Sequence, residues 1–361
     1  MANNNFDLVN LALQCVLPGN ELLFDDKGMP SVMVKIPKLT YAQLGLGSST
    51  ATFPAFIVDG VEKDFLWISK YQNIVQNGRA YSLPGKDPRV NITMDEAISA
   101  CSAKGSGWHL MTKQEWAALA WWCYKNGTMP KGNNDYGKDT TESAYRALPS
   151  TSKDSSGRIQ RVATGTGPDS WSHDGTRAGI FDLNGNVWEW TGGVRIVKGE
   201  VQILENNNAA NSANSQAASS SLWKAIRASD GVLITPNGSG TTSGSVKMDF
   251  ISSKCTYSTS ITDSSRGNHG CSFGDVACAS GISDAAKLKL ASVGLVKYGS
   301  ETVAQLGSDY FWFNNAEDER CFLCGAGWST GANAGVFISS GYHPRSYSSG
   351  AVGFRSAYYA P

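Results

Sequence analysis

The stretch GIFDLNGNVWEWTGG, residues 179–193, places an Asp/Asn/Gly-rich segment directly before two tryptophans. Its two carboxylates, Asp182 and Glu189, are conceivable as an acid/base pair. The intervening Asn-Gly-Asn sequence is instead typical of a turn, because Asn side chains hydrogen-bond to nearby backbone. We therefore expect a turn held by a structural hydrogen-bond network, and no catalytic residues here.

Upstream of this stretch the sequence predicts two helices. Thr112 and Glu115 form a capping-box pattern in HLMTKQEWAALA, residues 109–120, ahead of apolar residues at helical spacing. Thr93 and Glu96 repeat the pattern ahead of a second, shorter helix. Both helices should therefore start at a threonine cap.

The remaining sequence predicts one main domain. Residues 1–30 have weak alternation and no caps, which favours an N-terminal arm or edge strand before a domain spanning residues 31–361. Two apolar runs flank Asp-Gly at 59–60, a hairpin signal. Composition shifts from about residue 205 to 306, where stretches such as 206–221 and 236–245 are polar and nearly free of charge, and strongly apolar sequence resumes at 310–313. We interpret 205–306 as an insertion within the domain.

Composition excludes several classes of protein. With 41% hydrophobic residues and 11 tryptophans the chain can form a packed core. Its 31 basic and 31 acidic residues give no basic surplus, so we expect no nucleic-acid partner. The N-terminus lacks the pattern of a secretory signal, and the longest apolar run, residues 116–124, is too short to cross a bilayer. We expect synthesis in a cytoplasm without a signal peptide, and no membrane insertion.

No catalytic constellation stands out. The sequence has neither a phosphate-binding G-x-x-x-x-G-K-[ST] loop nor a G-x-S-x-G nucleophile elbow. The four histidines are scattered, and each is expected to lie at the surface or to be hydrogen-bonded locally. They are His109, His173, His269 and His343.

The eight cysteines are few for this length, and we expect buried or idle reduced thiols. Cys321 and Cys324 form a C-x-x-C pattern without the second pair that a zinc site needs. His269, Cys271 and Cys278 form a looser cluster with Cys255 upstream, for which metal binding or a disulfide stays open as the alternative. We predict no cofactor and no bound metal.

Four segments resemble, in order, the motifs of the formylglycine-generating-enzyme superfamily. They are residues 109–120, residues 179–193, LCGAGW at 323–328 and GFR at 353–355, within a resemblance covering roughly residues 50–195 and 310–357. The resemblance implies an α+β protein with a C-type-lectin-like fold and a small twisted sheet near the C-terminus. It also implies that the large aromatic residues of these motifs are buried scaffold. They are Trp188, Trp190, Trp328 and Phe354.

The chain lacks the metal-binding residues of the enzymes in this superfamily, and this difference affects the predicted function. Its sulfatase-activating enzymes carry paired copper-binding cysteines in the segment that corresponds to residues 329–343, where this chain has none. Cys321 and Cys324 come before Trp328, whereas the copper-binding cysteines of those enzymes come after the corresponding motif. The sulfoxide synthases of the superfamily use a His-rich iron module that four scattered histidines cannot supply. We therefore expect no enzyme, and a copper-dependent formylglycine-generating oxidase is the first alternative.

The C-terminus is similar to the variable proteins of diversity-generating retroelements, especially those of phages and gut bacteria. This resemblance implies that a reverse transcriptase mutates adenines while copying a template over the C-terminal coding segment. Randomised Asn codons cannot yield Lys, Glu, Gln or Met. Residues 1–320 hold 46 of these four types, so roughly six are expected in residues 321–361, and none occurs.

Within residues 338–351 the positions that look variable alternate with serines and glycines. Alternation sends side chains to one face of a strand. Pro344 supplies a turn between the two halves, and Arg345 is expected to anchor it. The predicted ligand-binding residues are Ser329, Thr330, Ile338, Ser340, Tyr342, His343, Tyr347, Ser349 and Ala351, with Phe322, Cys324 and Ala326 in addition. The competing interpretation is an ordinary Ser/Gly-rich strand and loop.

These observations predict a non-enzymatic binding protein with a hypervariable surface at about residues 320–357. The resemblance implies a protein or glycan receptor on a bacterial surface as the ligand. It also implies display on a phage virion, or alternatively on a bacterial surface, with assembly into a phage tail or a homo-oligomer. A carbohydrate-binding or structural domain of fixed specificity is the second alternative.

Overall fold

The computed structural model describes residues 8–361, which form four α-helices and twenty-one strands. The helices are α1 (Leu8–Val16), α2 (Met94–Ser102), α3 (Lys113–Asn126) and α4 (Asp284–Ala291). The first eight strands are β1 (Asn20–Phe24), β2 (Pro30–Pro37), β3 (Ile57–Val58), β4 (Val61–Glu62), β5 (Phe65–Ser69), β6 (Ile74–Gln76), β7 (Arg79–Tyr81) and β8 (Trp108–Leu110). The next eight are β9 (Trp188–Val197), β10 (Glu200–Ile203), β11 (Lys224–Ile226), β12 (Leu233–Ile234), β13 (Lys247–Ile251), β14 (Lys254–Ser258), β15 (Asn268–Ser272) and β16 (Ala277–Cys278). The last five are β17 (Tyr310–Asn314), β18 (Arg320–Cys324), β19 (Ser339–His343), β20 (Val352–Phe354) and β21 (Ser356–Tyr358).

A five-stranded sheet joins the two ends of the described chain. Its order is β1-β2-β5-β21-β8, so the C-terminal strand β21 lies between β5 and β8. β1 is an edge strand, preceded by helix α1, which the sequence analysis did not predict. Residues 1–7 of the predicted arm lie outside the described residues.

The larger sheet has twelve strands and carries the C-terminal segment. Its main path is β15-β17-β19-β18-β9-β10-β13-β14-β16, and β20 pairs with β9 in parallel. The WEW motif lies in β9, which has β18, β10 and β20 as hydrogen-bonded neighbours. The segment that resembles retroelement variable regions therefore flanks the motif strand.

Both predicted helix starts are confirmed. Thr93 and Thr112 cap α2 and α3, and each forms a complete capping box with the glutamate three residues later. α3 ends at Gly127, whose φ of 68° is the left-handed conformation common at helix C-termini. Trp116 and Trp121 of α3 are fully buried, and their indole N–H groups donate to backbone carbonyls.

The hairpin predicted at 59–60 is also confirmed. β3 and β4 pair across Asp59 and Gly60, which both have positive φ, as a two-residue hairpin turn requires. Within residues 8–361 no helix combines the length and apolar character needed to cross a membrane.

The polar segment 205–306 is part of the main architecture. Its strands β11, β13, β14, β15 and β16 belong to the larger sheet. Asn207 fixes its start, because its side-chain amide donates to Glu115 and to the carbonyl of Ala55, and its Oδ1 accepts from Thr112. Polar composition here reflects side chains that are satisfied by hydrogen bonds in a folded structure.

Candidate ligand-binding surface

A buried ion pair joins the WEW motif to the C-terminal GFR motif. Arg355 donates to both carboxylate oxygens of Glu189, with both distances 2.6 Å, and both residues are fully buried. Gln72 donates to the same carboxylate at 2.9 Å. Paired donor–acceptor bonds fix geometry as well as charge. Glu189 is therefore occupied by the scaffold, and no free acid/base pair exists with Asp182.

The predicted hydrogen-bond network around the Asn-Gly-Asn turn is confirmed. Asn186 donates to Gln72 at 2.9 Å and accepts from the backbone N–H of Val162 at 2.9 Å. Asp182 accepts from the backbone N–H of Gly165 at 3.1 Å, and burial raises the pKa of Asp182 to about 6. The network holds the turn against neighbouring segments.

Arg345 anchors the turn after β19, as predicted. Its guanidinium forms two hydrogen bonds with Glu319, at 2.7 and 2.9 Å, and one with Asp95 at 2.7 Å. It also donates to the backbone carbonyl of Gln216 at 2.9 Å. The turn is thus tied to α2, to the start of β18 and to the polar segment.

Five predicted ligand-binding residues are buried, so their assignment to an exposed surface is wrong. They are Phe322, Cys324, Ala326, Ile338 and Ser340, none more than 2% exposed. Phe322 and Cys324 face the main core, while Ala326 and Ile338 pack together under Trp188 and Trp312. Both faces of β18 are covered by other parts of the fold, which a local pattern cannot reveal.

The other seven predicted residues are accessible. Ser329 is exposed, and the remaining six are half-buried: Thr330, Tyr342, His343, Tyr347, Ser349 and Ala351. The ring of His343 stacks on Tyr347 with centroids 3.7 Å apart and planes 12° apart, and Tyr342 lies 4.1 Å from His343. We call Tyr342, His343 and Tyr347 the aromatic stack.

A β-bulge accounts for the contact between neighbouring residues of the stack. β19 pairs Ser340 with Leu323 but His343 with Cys321, so three steps on β19 match two on β18. The extra residue breaks strict alternation locally. Tyr342 and His343 can therefore touch each other instead of pointing to opposite faces.

The sequence analysis missed a second group of accessible rings. Trp188 and Trp328 are half-buried, contrary to the prediction that all four motif aromatics are buried, whereas Trp190 and Phe354 are fully buried as predicted. Trp188 contacts Trp312 at 6.1 Å, and Trp312 contacts Tyr310 at 4.4 Å. We call Trp188, Trp312 and Tyr310 the fixed rings.

The alternating burial of the run YFWF, residues 310–313, explains why two of the fixed rings are accessible. In β17, Tyr310 and Trp312 are half-buried while Phe311 and Phe313 are fully buried, which is the alternation of a strand with one open face. Trp312 pairs with Ser340 of β19 and with Gly270 of β15. A Cβ atom on Gly270 would lie 2.6 Å from the Trp312 ring, so the glycine makes room for it.

The accessible surface offers rings and hydroxyls with little net charge. Burial, with a smaller effect from Arg320, lowers the pKa of His343 to about 4, so this imidazole is neutral near pH 7. Burial also raises the pKa of Tyr342. The nearby cations are paired, Arg345 with Glu319 and Arg320 with Glu317. Such a surface suits stacking and neutral hydrogen bonding.

Comparison with known families identifies the scaffold. A model of the sulfatase-modifying factor enzyme 1-like domain matches residues 19–224, more than half of the chain. The chain belongs to this family. The match and the mixture of helices and strands confirm the predicted α+β fold class, a C-type-lectin-like fold of the formylglycine-generating-enzyme type.

Three solved structures are similar to this member of the sulfatase-modifying factor enzyme 1-like family. Treponema denticola variable protein 1 has 12% identity and a TM-score of 0.35, with 95% of this chain and 100% of that chain covered. PvdO from Pseudomonas aeruginosa has 13% identity and a TM-score of 0.35, with 95% and 99% covered. The Major Tropism Determinant P3c variant has 11% identity and a TM-score of 0.31, with 94% and 71% covered. A search of curated protein sequences finds no match.

Six cysteines of this family member are buried, whereas Cys278 is half-buried and Cys15 is exposed. Cys321 and Cys324 are buried in β18, and burial raises the pKa of Cys321 to about 12. Cys255 and Cys271 are hydrogen-bonded to each other, and burial contributes to a raised pKa of Cys255. Among residues 8–361, no three His, Cys, Asp or Glu side chains are grouped so that they could hold a metal ion.

Proposed function

We propose that the chain is a non-enzymatic binding protein whose C-terminal segment is diversified by a retroelement. Its ligand is a protein or glycan receptor on a bacterial surface. The observation that carries the proposal is the aromatic stack, three accessible rings on a segment that is otherwise fixed by its backbone and by Arg345. We place the variable positions at the accessible residues 329, 330, 342, 343, 347, 349 and 351.

The contacts of the stack support variation at these positions. The rings of Tyr342, His343 and Tyr347 contact one another, and Tyr347 also packs against a buried apolar cluster. β19, which carries Tyr342 and His343, is held by backbone pairing to β17 and β18. Exposed positions accept most residues within about 0.5 kcal/mol of stability, and half-buried ones should cost somewhat more. Changing the rings would therefore alter the surface and leave the fold in place.

The packing around two glycines of this segment, Gly341 and Gly353, supports the proposal that these positions do not vary. A Cβ atom on Gly341 would lie 2.7 Å from the ring of Phe322, and one on Gly353 would lie 2.5 Å from the carbonyl oxygen of Arg89. Neither position has room for a side chain unless its neighbours move. A template that keeps these glycines and varies the accessible positions would preserve the scaffold.

The chemistry of the surface resembles that of an antibody paratope. Tyrosine gives a large contact area at a small cost in entropy, and serine gives adaptable hydrogen bonds. With little net charge, affinity would depend on a few aromatic anchors and not on electrostatic steering. Display in many copies, on a phage virion or tail or through homo-oligomers, would raise the avidity of a modest single-site affinity.

Sequencing the gene's surroundings tests the diversification. We expect a near-identical non-coding copy of the segment for residues 320–357 beside a reverse-transcriptase gene. Differences should coincide with template adenines and fall at the seven accessible positions. Absence of the repeat would contradict the proposal, and so would differences spread over all four template bases and over Gly341 and Gly353. The segment would then be an ordinary Ser/Gly-rich strand and loop.

A binding experiment tests the surface itself. The variant Tyr342→Ala/His343→Ala/Tyr347→Ala should lose adhesion to the bacterial strain that the wild type binds while remaining folded, because truncating half-buried rings costs less than truncating fully buried ones. The control is Ser346→Ala/Ser348→Ala, at two exposed residues of the same loop. Equal adhesion by wild type and stack variant would contradict the proposal. Copper-dependent oxidation of a sulfatase-type peptide that vanished in Cys321→Ser or Cys324→Ser would instead favour the oxidase.

A further inference from the structure

A pocket lies on another part of the molecule and shares no residue with the aromatic stack or the fixed rings. Its volume is about 260 Å³, and it is bounded by β2, the middle of α3 and residues 173–178. Most of its lining side chains are apolar, with His173 and Asp174 at one side. The apolar lining includes Val34, Ile36, Leu39, Leu119 and Trp122.

His173 supplies an unused hydrogen-bond donor to this pocket. The side chain is 5% exposed, and its Nδ1 accepts from the backbone N–H of Ile180 at 2.9 Å. Nδ1 therefore carries no proton, and the proton of the neutral ring is on Nε2. Within residues 8–361, Nε2 has no hydrogen-bond partner, and it is not sealed from solvent.

The surroundings keep this imidazole neutral and in place. Burial lowers the pKa of His173 to about 4, helped by the positive charges of Arg355 and Lys70 and opposed by Asp174. The ring lies 5.1 Å from Trp122, which lines the same pocket. Near pH 7 the ring is thus a fixed neutral donor beside an aromatic wall.

Asp174, which also lines the pocket, supplies a hydrogen-bond acceptor. Its Oδ1 accepts from the backbone N–H of Thr176 at 2.9 Å and from the Thr176 and Ser172 hydroxyls. Its Oδ2 accepts from no residue in the described part of the chain, 8–361. His173 and Asp174 both line the pocket, so its lining offers a donor and an acceptor to a hydroxyl group, which accepts one hydrogen bond and donates another.

We propose that this pocket binds a small apolar molecule that carries a hydroxyl group. The hydroxyl oxygen accepts from His173 Nε2–H, its proton is donated to Asp174, and the apolar body lies against Trp122 and the aliphatic side chains. A cavity of roughly 150 Å³ holds benzene, so this pocket has room for a bicyclic ring. The site is independent of the proposed receptor binding.

Titration with 2-naphthol tests the proposal, with naphthalene as the matched probe that lacks the hydroxyl. With only four histidines in the chain, the His173 imidazole can be followed in ¹H–¹⁵N spectra of ¹⁵N-labelled protein. We expect saturable one-to-one binding of 2-naphthol and a shift of the His173 Nε2–H resonance. Naphthalene should bind more weakly, by roughly 5- to 10-fold, because it forgoes the hydrogen bonds.

Two variants distinguish the contribution of the His173 donor to binding from that of the cavity itself. In His173→Asn the amide oxygen can take the place of Nδ1 as acceptor for Ile180, while the Nε2–H donor is lost. We expect weaker 2-naphthol binding and unchanged naphthalene binding. Ala178→Trp, at the half-buried rim, should block both probes without touching the donor, so it tests the site even if the histidine variant does not fold.

Specific outcomes would overturn the proposal. Absence of saturable 2-naphthol binding up to its solubility limit would show that the pocket holds water alone. Equal affinity for both probes would remove the hydroxyl from the ligand class. Binding that persists in Ala178→Trp would place the probe elsewhere.

Discussion

The ion pair of Glu189 with Arg355 and the aromatic stack, carried by β19 and the turn that follows it, are built in different ways. Glu189 and Arg355 are fully buried, and each uses its charged group to join distant segments. Tyr342, His343 and Tyr347 are half-buried, their rings contact each other, and only Tyr347 also packs against a buried apolar cluster. A position whose side chain joins segments has to stay constant, whereas one that relies on backbone pairing and on Arg345 is free to change.

The largest effect in this comparison is expected from breaking the ion pair. Arg355→Met leaves the carboxylate of Glu189 buried without its partner, which should lower the free energy of unfolding by about 3–5 kcal/mol. Chemical denaturation measures the loss. Arg158→Met, which removes an exposed ion pair with Asp154, is the control and should change little. A similarly small effect for both variants would show that the pair does not hold the motifs together.

The two tryptophans of the WEW motif should differ in effect. Trp190 is fully buried and donates to the carbonyl of Ile92, so Trp190→Ala should lower the free energy of unfolding by about 3–5 kcal/mol. Trp188 is half-buried beside Trp312, so Trp188→Ala should cost clearly less and weaken ligand binding. Denaturation and cell adhesion of both variants test this difference. If both variants were equally destabilised, Trp188 would have a structural role like that of Trp190.

Asp309 is a buried carboxyl group beside the segment that leads into β19, and it predicts that stability depends on pH. Its carboxylate accepts from the backbone N–H of Phe337 at 2.6 Å, just before β19, and burial raises its pKa to about 7. A raised folded-state pKa gives stability that is present below the unfolded value of 3.8 and is lost as pH rises through about 7. We therefore expect Asp309 to make the protein less stable at pH 8 than at pH 5.

The Asp309→Asn variant isolates this contribution. Its amide oxygen can still accept from Phe337, and it does not titrate. The difference in unfolding free energy between wild type and variant should fall by up to a few kcal/mol from pH 5 to pH 8. A difference independent of pH would mean that Asp309 keeps one protonation state throughout this range.

The smallest effects should come from two glycines within the C-terminal segment. Gly353→Ala forces a Cβ atom to within 2.5 Å of the Arg89 carbonyl oxygen and should cost about 1–3 kcal/mol. Gly350→Ala meets nothing within 4 Å and should be nearly neutral. Thermal unfolding of the pair tests whether close packing keeps a glycine constant. If both variants lost the same free energy of unfolding, backbone conformation and not the contact with Arg89 would explain why Gly353 is needed.

Local patterns predicted the features that depend on neighbouring residues in the chain. The threonine caps of α2 and α3 formed because a capping box needs only four consecutive residues. The Asp59-Gly60 hairpin formed because both residues tolerate positive φ. The motif around Glu189 indicated the family, which the domain match confirms.

The tertiary structure decided which side chains are accessible. Alternation placed Ile338 and Ser340 on one face of a strand, but it could not show that Ile338 lies under Trp188 and Trp312, more than 20 residues away in sequence. It likewise could not show that Phe322 faces the main core. Periodicity assigns a side chain to a face, whereas burial of that face depends on segments that arrive from elsewhere in the chain. The sequence thus determined the scaffold motifs and their order along the chain, and packing determined which residues of the C-terminal segment are accessible.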